Sequence, residues 1–253
     1  EQRPRAPYIS RQLETYSVLS QEGLELIERN ADTILHETGM DFTGDPEILD
    51  IFRAAGCDVK ETRIRFEPGF CRKTIQATAP SAFTQHARNP ANSVKMGGNA
   101  TILCPSWGPP FVHDLDKGRR YASYDDFKTL VKLHHTLPWL HHSGGVVCEP
   151  VDLPANKRHL DMLYAHIRYS DRAFMGSVTH ESRAQDNIDM ARIVFGREFA
   201  DKNCVILGNV NVNSPLVWDG TMTRSLRAYA RANQCAVVVP FILGGAMGPV
   251  TNA

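Results

Sequence analysis

Residues 205–242 read VILGNVNVNSPLVWDGTMTRSLRAYARANQCAVVVPFI, and this stretch decides the fold. It predicts an apolar strand at 205–211, a helix at about 220–233 that Asp219 can cap, and a second apolar strand at 236–242. Continuously apolar strands are typical of parallel sheets that are buried on both faces. Strand, helix and strand in such short succession form the βαβ unit that a parallel crossover requires.

The same alternation repeats upstream of this stretch. The pattern from residue 101 predicts a first strand, helices at about 124–137, 156–169 and 182–195, and strands at about 140–147 and 173–178. Ser123 and Asp126 form an acidic capping box for the first of these helices. Residues 1–100 instead mix short strands with helices that Ser20 and Asp45 can cap. We therefore expect an α+β N-terminal segment at 1–100 and a regular α/β region at 101–253.

Two α/β architectures fit this pattern, an open doubly wound sheet and a (β/α)8 TIM-type barrel. No Gly-x-Gly-x-x-Gly motif follows a predicted strand, whereas polar residues such as Glu149, Asn211 and Asn213 follow several of them. Functional groups at strand carboxyl ends favour the barrel. Only the first four to five βα units are present, and the sequence stops where a fifth helix would begin. We expect the chain to be the front part of a longer protein.

Composition excludes several classes of protein. The 253 residues carry 28 basic and 28 acidic side chains, which argues against a nucleic-acid partner. No apolar run approaches the roughly 20 residues that span a bilayer, and residues 1–8 lack the apolar stretch of an export signal. Six widely spaced cysteines without a Cys-x-x-Cys pair are typical of free, buried thiols in a reducing compartment. We expect a cytoplasmic protein, without a membrane partner, that is able to form a homo-oligomer.

Histidine pairs are the most conspicuous polar motif. Successive residues on a strand point to opposite faces, so His141 and His142 are poorly placed to bind one metal ion together. His134 and His135 can act as cations at a helix C-terminus. We therefore interpret these residues as mostly structural and predict no bound metal. In the segment 158–161, His159 and Asp161 either face the strand ends or stabilise the start of a helix.

Aromatic residues follow several predicted strands and give the strongest indication of chemistry. Trp107 and Phe111 lie after the first strand, Trp218 follows the fourth, and Phe241 ends the fifth. Each could fill the upper layer of a barrel. Together with an isolated acid, Glu149, they could instead surround a cation, because aromatic faces attract quaternary ammonium groups by roughly 0.5–2 kcal/mol each.

Several longer motifs resemble the trimethylamine methyltransferase family. They are GPPFVHDL at 108–115, RHLDMLYA at 158–165, FMGSVT at 174–179, NVNSPLVWD at 211–219 and PFILGGAMGPVT at 240–251, joined by LSQEGLELI at 19–27 and HARNP at 86–90. The resemblance implies a (β/α)8 barrel of roughly twice this length. It also implies methyl transfer from a methylated amine to the cobalt of a separate corrinoid protein, with no cofactor bound directly by this chain.

The resemblance leaves the substrate open within one chemical class. Members that act on trimethylamine use a pyrrolysine in the later half of the barrel, whereas relatives without it act on quaternary amines such as glycine betaine. We slightly favour a quaternary amine. The hypothesis is that Trp107, Phe111, Trp218 and Phe241 hold the ammonium group, while three polar residues orient the rest of the substrate: Glu149, Asn211 and Asn213. No residue is assigned a catalytic role.

The partner that the resemblance implies needs a docking surface. The loops 147–155, 178–183 and 213–220 would form part of the surface on which a corrinoid protein docks. An alternative is a non-catalytic fragment or small-molecule-binding module of such a barrel. A zinc-dependent methyltransferase is a weaker rival within the enzyme class.

Overall fold

The computed structural model describes residues 9–176, 180–212, 216–240, 244, 245 and 248. Within these residues the fold is a mixed α/β arrangement of eight α-helices and five small sheets, none of which closes into a barrel. The chain divides into two compact units. The first comprises residues 1–12, 81–210 and 225–237, and the second comprises residues 13–80, 211–224 and 238–253. No helix of the described part is both long and apolar enough to cross a membrane.

The elements are numbered in chain order. The helices are α1 (Gln21–Glu37), α2 (Pro46–Ala54), α3 (Phe70–Thr78), α4 (Tyr124–Thr136), α5 (Arg158–Tyr169), α6 (Glu181–Phe195), α7 (Arg197–Lys202) and α8 (Gly220–Arg231). The strands are β1 (Ile9–Ser10), β2 (Met40–Thr43), β3 (Asp58–Lys60), β4 (Arg63–Arg65), β5 (Ala82–Gln85), β6 (Val94–Gly97), β7 (Ala100–Thr101), β8 (Phe111–Asp114), β9 (Gly118–Tyr121), β10 (Phe174–Met175), β11 (Ile206–Val212), β12 (Val217–Asp219) and β13 (Cys235–Pro240).

The parallel βα pattern predicted from the sequence is present in the first unit. Strand β10 pairs in parallel with β11, with Phe174 opposite Ile206, and β13 lies on the other side of β11. His142 extends the order by a parallel bridge to Ala173, just before β10. Spatial order therefore follows sequence order, as expected when successive crossovers run in one direction.

Helices α5, α6 and α8 cover one face of this sheet. Their buried side chains, which include Leu163, Ile188 and Tyr229, pack against Phe174 and Ile206. The contact is close at Gly208 of β11, where an added Cβ would lie 2.5 Å from a ring carbon of Tyr229. A side chain at this position would therefore push α8 away from the sheet.

The second unit is built on a four-stranded sheet in the order β12-β2-β4-β3. Strand β12 runs parallel to β2, whereas β4 runs antiparallel to both β2 and β3. Its core is aromatic, with Phe42 and Phe66 buried and Phe52 and Trp218 packed against them. Helix α1 carries the predicted Ser20 cap, whose hydroxyl accepts from the Gly23 N–H at 3.2 Å.

The predicted helix boundaries are confirmed to within a few residues, and the strands are less regular. The strand expected at 140–147 contributes a single bridge at His142, because the chain turns at Gly144, whose N–H donates to the His142 ring. A hairpin of β8 and β9 was not predicted. Its turn is fixed by Asp114, whose carboxylate accepts from the N–H groups of Asp116 and Lys117.

Candidate functional site

The chain segment after His142 is held by a buried polar network in the first unit. The His142 ring accepts from the Gly144 N–H at 2.9 Å and lies 3.1 Å from the Oε1 atom of Gln85. Gln85 donates in turn to the carbonyl of Phe174 at 2.8 Å. This network ties the strand position at 142 to β10, and so fixes the direction in which the following loop leaves the sheet.

A second histidine supports the same loop from helix α5. The His166 ring lies 2.6 Å from the Ser143 hydroxyl and donates through Nε2 to the Gly145 carbonyl at 2.7 Å. Burial lowers the pKa of His166 to about 4 and that of His142 to about 3. Both rings are therefore neutral near pH 7, which suits hydrogen bonding within the interior. These contacts support the structural interpretation of His142.

The end of helix α4 is stabilised by an arginine that was not predicted from the sequence. The Arg172 guanidinium donates to the carbonyls of His134, His135 and Leu137 at 2.9–3.0 Å. Burial lowers the pKa of His134, with a further contribution from the nearby Arg172 charge. The expected cation at this helix C-terminus is therefore Arg172, and His134 is neutral.

Glu149 follows this network and is paired with a cation. Its carboxylate accepts a hydrogen bond from Arg158, whose guanidinium also donates to the Leu153 carbonyl at 2.9 Å. The Glu149 side chain is about one-third exposed. The ion pair closes the loop 149–158 on itself and leaves part of the carboxylate accessible.

Two predicted aromatic residues lie on a segment that adjoins this loop. The Gly108 N–H donates to the Val146 carbonyl at 2.7 Å, and the Glu149 N–H donates to the Pro109 carbonyl at 2.9 Å. The structure therefore brings the segments that carry Trp107, Phe111 and Glu149 side by side.

The two aromatic side chains differ in how they are used. Trp107 is 43% exposed. Phe111 packs against Tyr121 with ring centroids 4.6 Å apart, and the Arg119 guanidinium lies 3.8 Å above its ring. Phe111 therefore already makes a cation–π contact. Trp107 is the more open of the two rings.

The remaining predicted residues belong to the second unit or lie outside the described residues. Trp218, in β12, stacks on Phe42 at 6.3 Å between centroids and forms part of that unit's core. Asn211 is an exposed residue of β11. Asn213 and Phe241 lie outside the described residues.

Asn209 is a polar residue that the sequence reading missed. Its side-chain oxygen is buried and has no hydrogen-bond partner among the described residues. Because side chains alternate along a strand, Asn209 and Asn211 point to the face opposite Gly208, away from α8. The asparagines at 209 and 211 are the sequence signal for it, since a period of two places both on one face of the strand.

His159 lies at a cavity beside the first turns of α5 and α6. Its buried ring donates through Nε2 to the Asp186 carboxylate at 2.8 Å. The cavity has a volume of about 420 Å³ and is lined by Asn156, His159, His180, Ser182, Arg183 and Asp186. Asp161 instead lies 3.2 Å from the ammonium of Lys157. The described residues contain no cluster of three or more His, Cys, Asp or Glu side chains able to hold a metal ion.

Comparison with known proteins decides the family. Residues 1–253 match the family described as trimethylamine methyltransferase (MTTB). The chain belongs to the trimethylamine methyltransferase family. The chain is also similar to the glycine betaine methyltransferase of Desulfitobacterium hafniense (strain Y51), to which it is 36% identical over 242 residues. The match covers 95% of this chain and 50% of the relative, so the chain spans about half the length of that methyltransferase.

Proposed function

We propose that the full-length protein transfers a methyl group from a methylated amine to the cobalt of a separate corrinoid protein. Membership of the trimethylamine methyltransferase family over the whole chain carries this proposal. The similarity to a protein named glycine betaine methyltransferase favours a quaternary amine over trimethylamine as the substrate.

We also propose that residues 101–253 form the first four to five units of a (β/α)8 barrel and that residues 1–100 form an N-terminal segment. The spatial order His142, β10, β11, β13 follows the sequence, and the pairings of His142 with Ala173 and of β10 with β11 are parallel, which supports this arrangement. In such barrels, substrates bind at the carboxyl ends of the strands. Glu149 and Asn209 lie towards those ends of their βα units. The six free thiols favour a reducing compartment, and we place the protein in the cytoplasm.

The chemistry explains why rings suit this substrate. The partner's cobalt supplies the nucleophile, and the substrate nitrogen leaves from the methyl carbon. Positive charge on the nitrogen fades as the bond breaks, so a tight carboxylate contact would stabilise the bound substrate more than the transition state. Ring faces bind the ammonium group more weakly and still position the methyl group for in-line transfer.

Four residues of the first unit have properties that suit binding of the amine substrate. Trp107 offers an exposed ring, and Phe111 shows that a cation already sits on its face. The Glu149 charge is compensated by Arg158, which weakens the ground-state attraction that would slow transfer. Asn209 adds a buried oxygen to which no described residue donates a hydrogen bond. The roles of four further residues rest on the sequence prediction: Asn211, Asn213, Trp218 and Phe241.

Binding of the ammonium group can be tested at Trp107. We expect Trp107→Ala to weaken glycine betaine binding by about 10-fold, measured by calorimetry, because one cation–π contact is lost. Trp139→Ala is the matched control, since Trp139 is also exposed (57%) but lies in the turn after α4. Equal affinities for the two variants would remove Trp107 from the proposed site.

Methyl transfer itself is tested with the full-length protein and a reduced corrinoid protein. We expect the visible spectrum of the corrinoid to change when glycine betaine is added, and mass spectrometry to detect the demethylated amine. If glycine betaine and trimethylamine both bind but neither is demethylated, the binding-module alternative replaces the enzyme. Stoichiometric zinc in an active preparation would favour the zinc-dependent rival.

A further inference from the structure

A β-hairpin adjoins the loop that carries Glu149. Strands β8 and β9 form this hairpin, which comprises residues 111–121. Hydrogen bonds join the chain on both sides of the hairpin to the loop. The Glu149 N–H donates to the Pro109 carbonyl at 2.9 Å, and the Val151 N–H donates to the Ala122 carbonyl at 3.1 Å. The hairpin is therefore held in a fixed position beside Glu149.

The inner face of the hairpin is bound to the first unit. Val112 packs against the buried cluster that contains Ala122 and Phe127. Arg120, the cross-strand partner of Val112, donates to the two oxygens of the Asp126 carboxylate at 2.6 and 2.7 Å. Because side chains alternate along a strand, the residues between these inner positions face away from the unit.

The outer face of the hairpin is exposed and carries side chains that protein interfaces favour. Tyr121 is 61% exposed, and Leu115 in the turn is fully exposed. His113 and Arg119 are exposed and lie opposite each other. The Arg119 guanidinium is held 3.8 Å from the centroid of the Phe111 ring. Tyrosine and arginine are enriched at binding hot spots, and a side chain that is already ordered loses less entropy when a partner binds.

The charges of the hairpin favour an acidic partner. The Asp114 carboxylate is used inside the hairpin, where it accepts from the backbone of the turn and from Arg120 at 3.1 Å. Within residues 111–121, all of which the structure describes, the exposed charges are then the cations of Lys117 and Arg119 and the single acid Asp116. Excess positive charge attracts a partner surface that carries carboxylates.

We propose that the outer face of the β8–β9 hairpin docks the corrinoid protein that accepts the methyl group, through an acidic patch on that protein. The inference rests on the proposed function, which supplies the partner. The acceptor cobalt has to reach the methyl group beside the Glu149 loop, and the hairpin is fixed to that loop. A partner that covers the loop therefore also meets the hairpin. Arg119 pairs with a carboxylate of the partner, while Leu115 and Tyr121 contact its apolar side chains.

Steady-state kinetics of the full-length protein test this surface. We expect Arg119→Glu and Leu115→Asp each to raise the KM for the corrinoid protein by about 10-fold, because each places a negative charge against an acidic partner. The affinity of Leu115→Asp for glycine betaine should stay unchanged. The matched controls are Arg197→Glu and Ile193→Asp, since both residues are exposed on α7 and α6, and neither change should alter the KM.

The outcomes distinguish this inference from the proposed function. Methyl transfer by the wild type, with an unchanged KM in both hairpin variants, would overturn the docking surface and leave the proposed function in place. Absence of methyl transfer by the wild type would overturn both. If sedimentation velocity shows a wild-type oligomer that dissociates in Leu115→Asp while the KM stays unchanged, the hairpin is a contact between two copies of this chain, which also overturns the proposal.

Lysine labelling gives a readout that needs no variant. Lys117 lies in the turn of the hairpin, and Lys202, at the end of α7, is the matched control. Acetic anhydride should label both lysines in the free full-length protein, and the bound corrinoid protein should reduce labelling of Lys117 several-fold while Lys202 is unaffected. Equal labelling of Lys117 with and without the partner would overturn the proposal. Protection of Lys117 in the free protein would do the same, because the rest of the chain would then cover the hairpin.

Discussion

Both units have an apolar core, but the first unit also contains a buried polar network. In the first unit, the buried side chains around the candidate loop are polar, with His142, His166 and Gln85 each bonded to backbone or to one another. In the second unit, the core is apolar, with aromatic rings around Phe42 and Phe66 and the fully buried side chain of Ile64. Hydrogen bonds are directional and fix the path of a backbone, whereas ring packing mainly fills volume. We infer that this polar network, rather than apolar packing, positions the loop that carries Glu149.

The variant Gln85→Leu should have the largest effect, because it removes the centre of the polar network. We expect the free energy of unfolding to fall by about 3 kcal/mol, because the Phe174 carbonyl and the His142 ring would be left buried without their partner. Urea denaturation measures the change. Gln76→Leu on the exposed side of α3 is the control and should change stability by less than about 0.5 kcal/mol. A loss at Gln85 as small as that at Gln76 would mean that the network is dispensable.

The aromatic interior is tested at Trp218. We expect Trp218→Ala to lower the free energy of unfolding by about 2 kcal/mol, since the half-buried ring loses its packing on Phe42. Trp218→Phe should restore most of that loss because a ring remains to stack. If Trp218→Phe is stable but binds glycine betaine as weakly as Trp218→Ala, the residue serves the substrate as well as the core.

Acid should lower the free energy of unfolding through the two buried histidines of the polar network. His142 and His166 have folded-state pKa values of about 3 and about 4, below the ordinary 6.5. The unfolded chain therefore binds protons first as the pH falls below 6.5, and stability falls with it. Each histidine should lower the free energy of unfolding by about 1.4 kcal/mol between pH 7.5 and pH 5.5.

Urea titrations of the wild type and of His142→Gln at these two pH values isolate the contribution of His142. The variant should lose less stability over the same interval, because one buried titrating ring is gone. Equal losses would show that His142 is protonated in the folded protein as readily as in the unfolded chain.

The smallest expected effect concerns the loop ion pair. Glu149→Gln should cost about 0.5–1 kcal/mol of unfolding free energy, because Arg158 is only partly exposed and loses a charged partner. Asp50→Asn removes an exposed pair with Arg53 in α2 and should cost less than about 0.3 kcal/mol. Equal losses at the two sites would mean that burial of Arg158 adds nothing.

Local signals in the sequence predicted the elements well. The capping box of Ser123 and Asp126 is present at the start of α4. The strand predicted at 205–211 corresponds to β11 within one residue. These features depend on neighbours a few residues apart, so a single sequence reveals them.

Long-range pairings were not predictable in the same way. Strand β12 pairs in parallel with β2, from which it is separated by more than 170 residues, and nothing in either stretch specifies the other. Arg172 stabilises the end of α4 from 36 residues beyond that end. Whether the Asn209 side-chain oxygen is buried depends on which elements cover each face of β11. The apolar run alone does not reveal those elements.

The central claim is that a methylated ammonium group binds at the strand carboxyl ends, beside Trp107 and the Glu149 loop. A crystal structure of the full-length protein with glycine betaine tests it most directly. We expect ligand density with the ammonium methyl groups against the Trp107 ring and within contact of the Asn209 oxygen. Density for glycine betaine elsewhere, with water alone beside both residues, would contradict it.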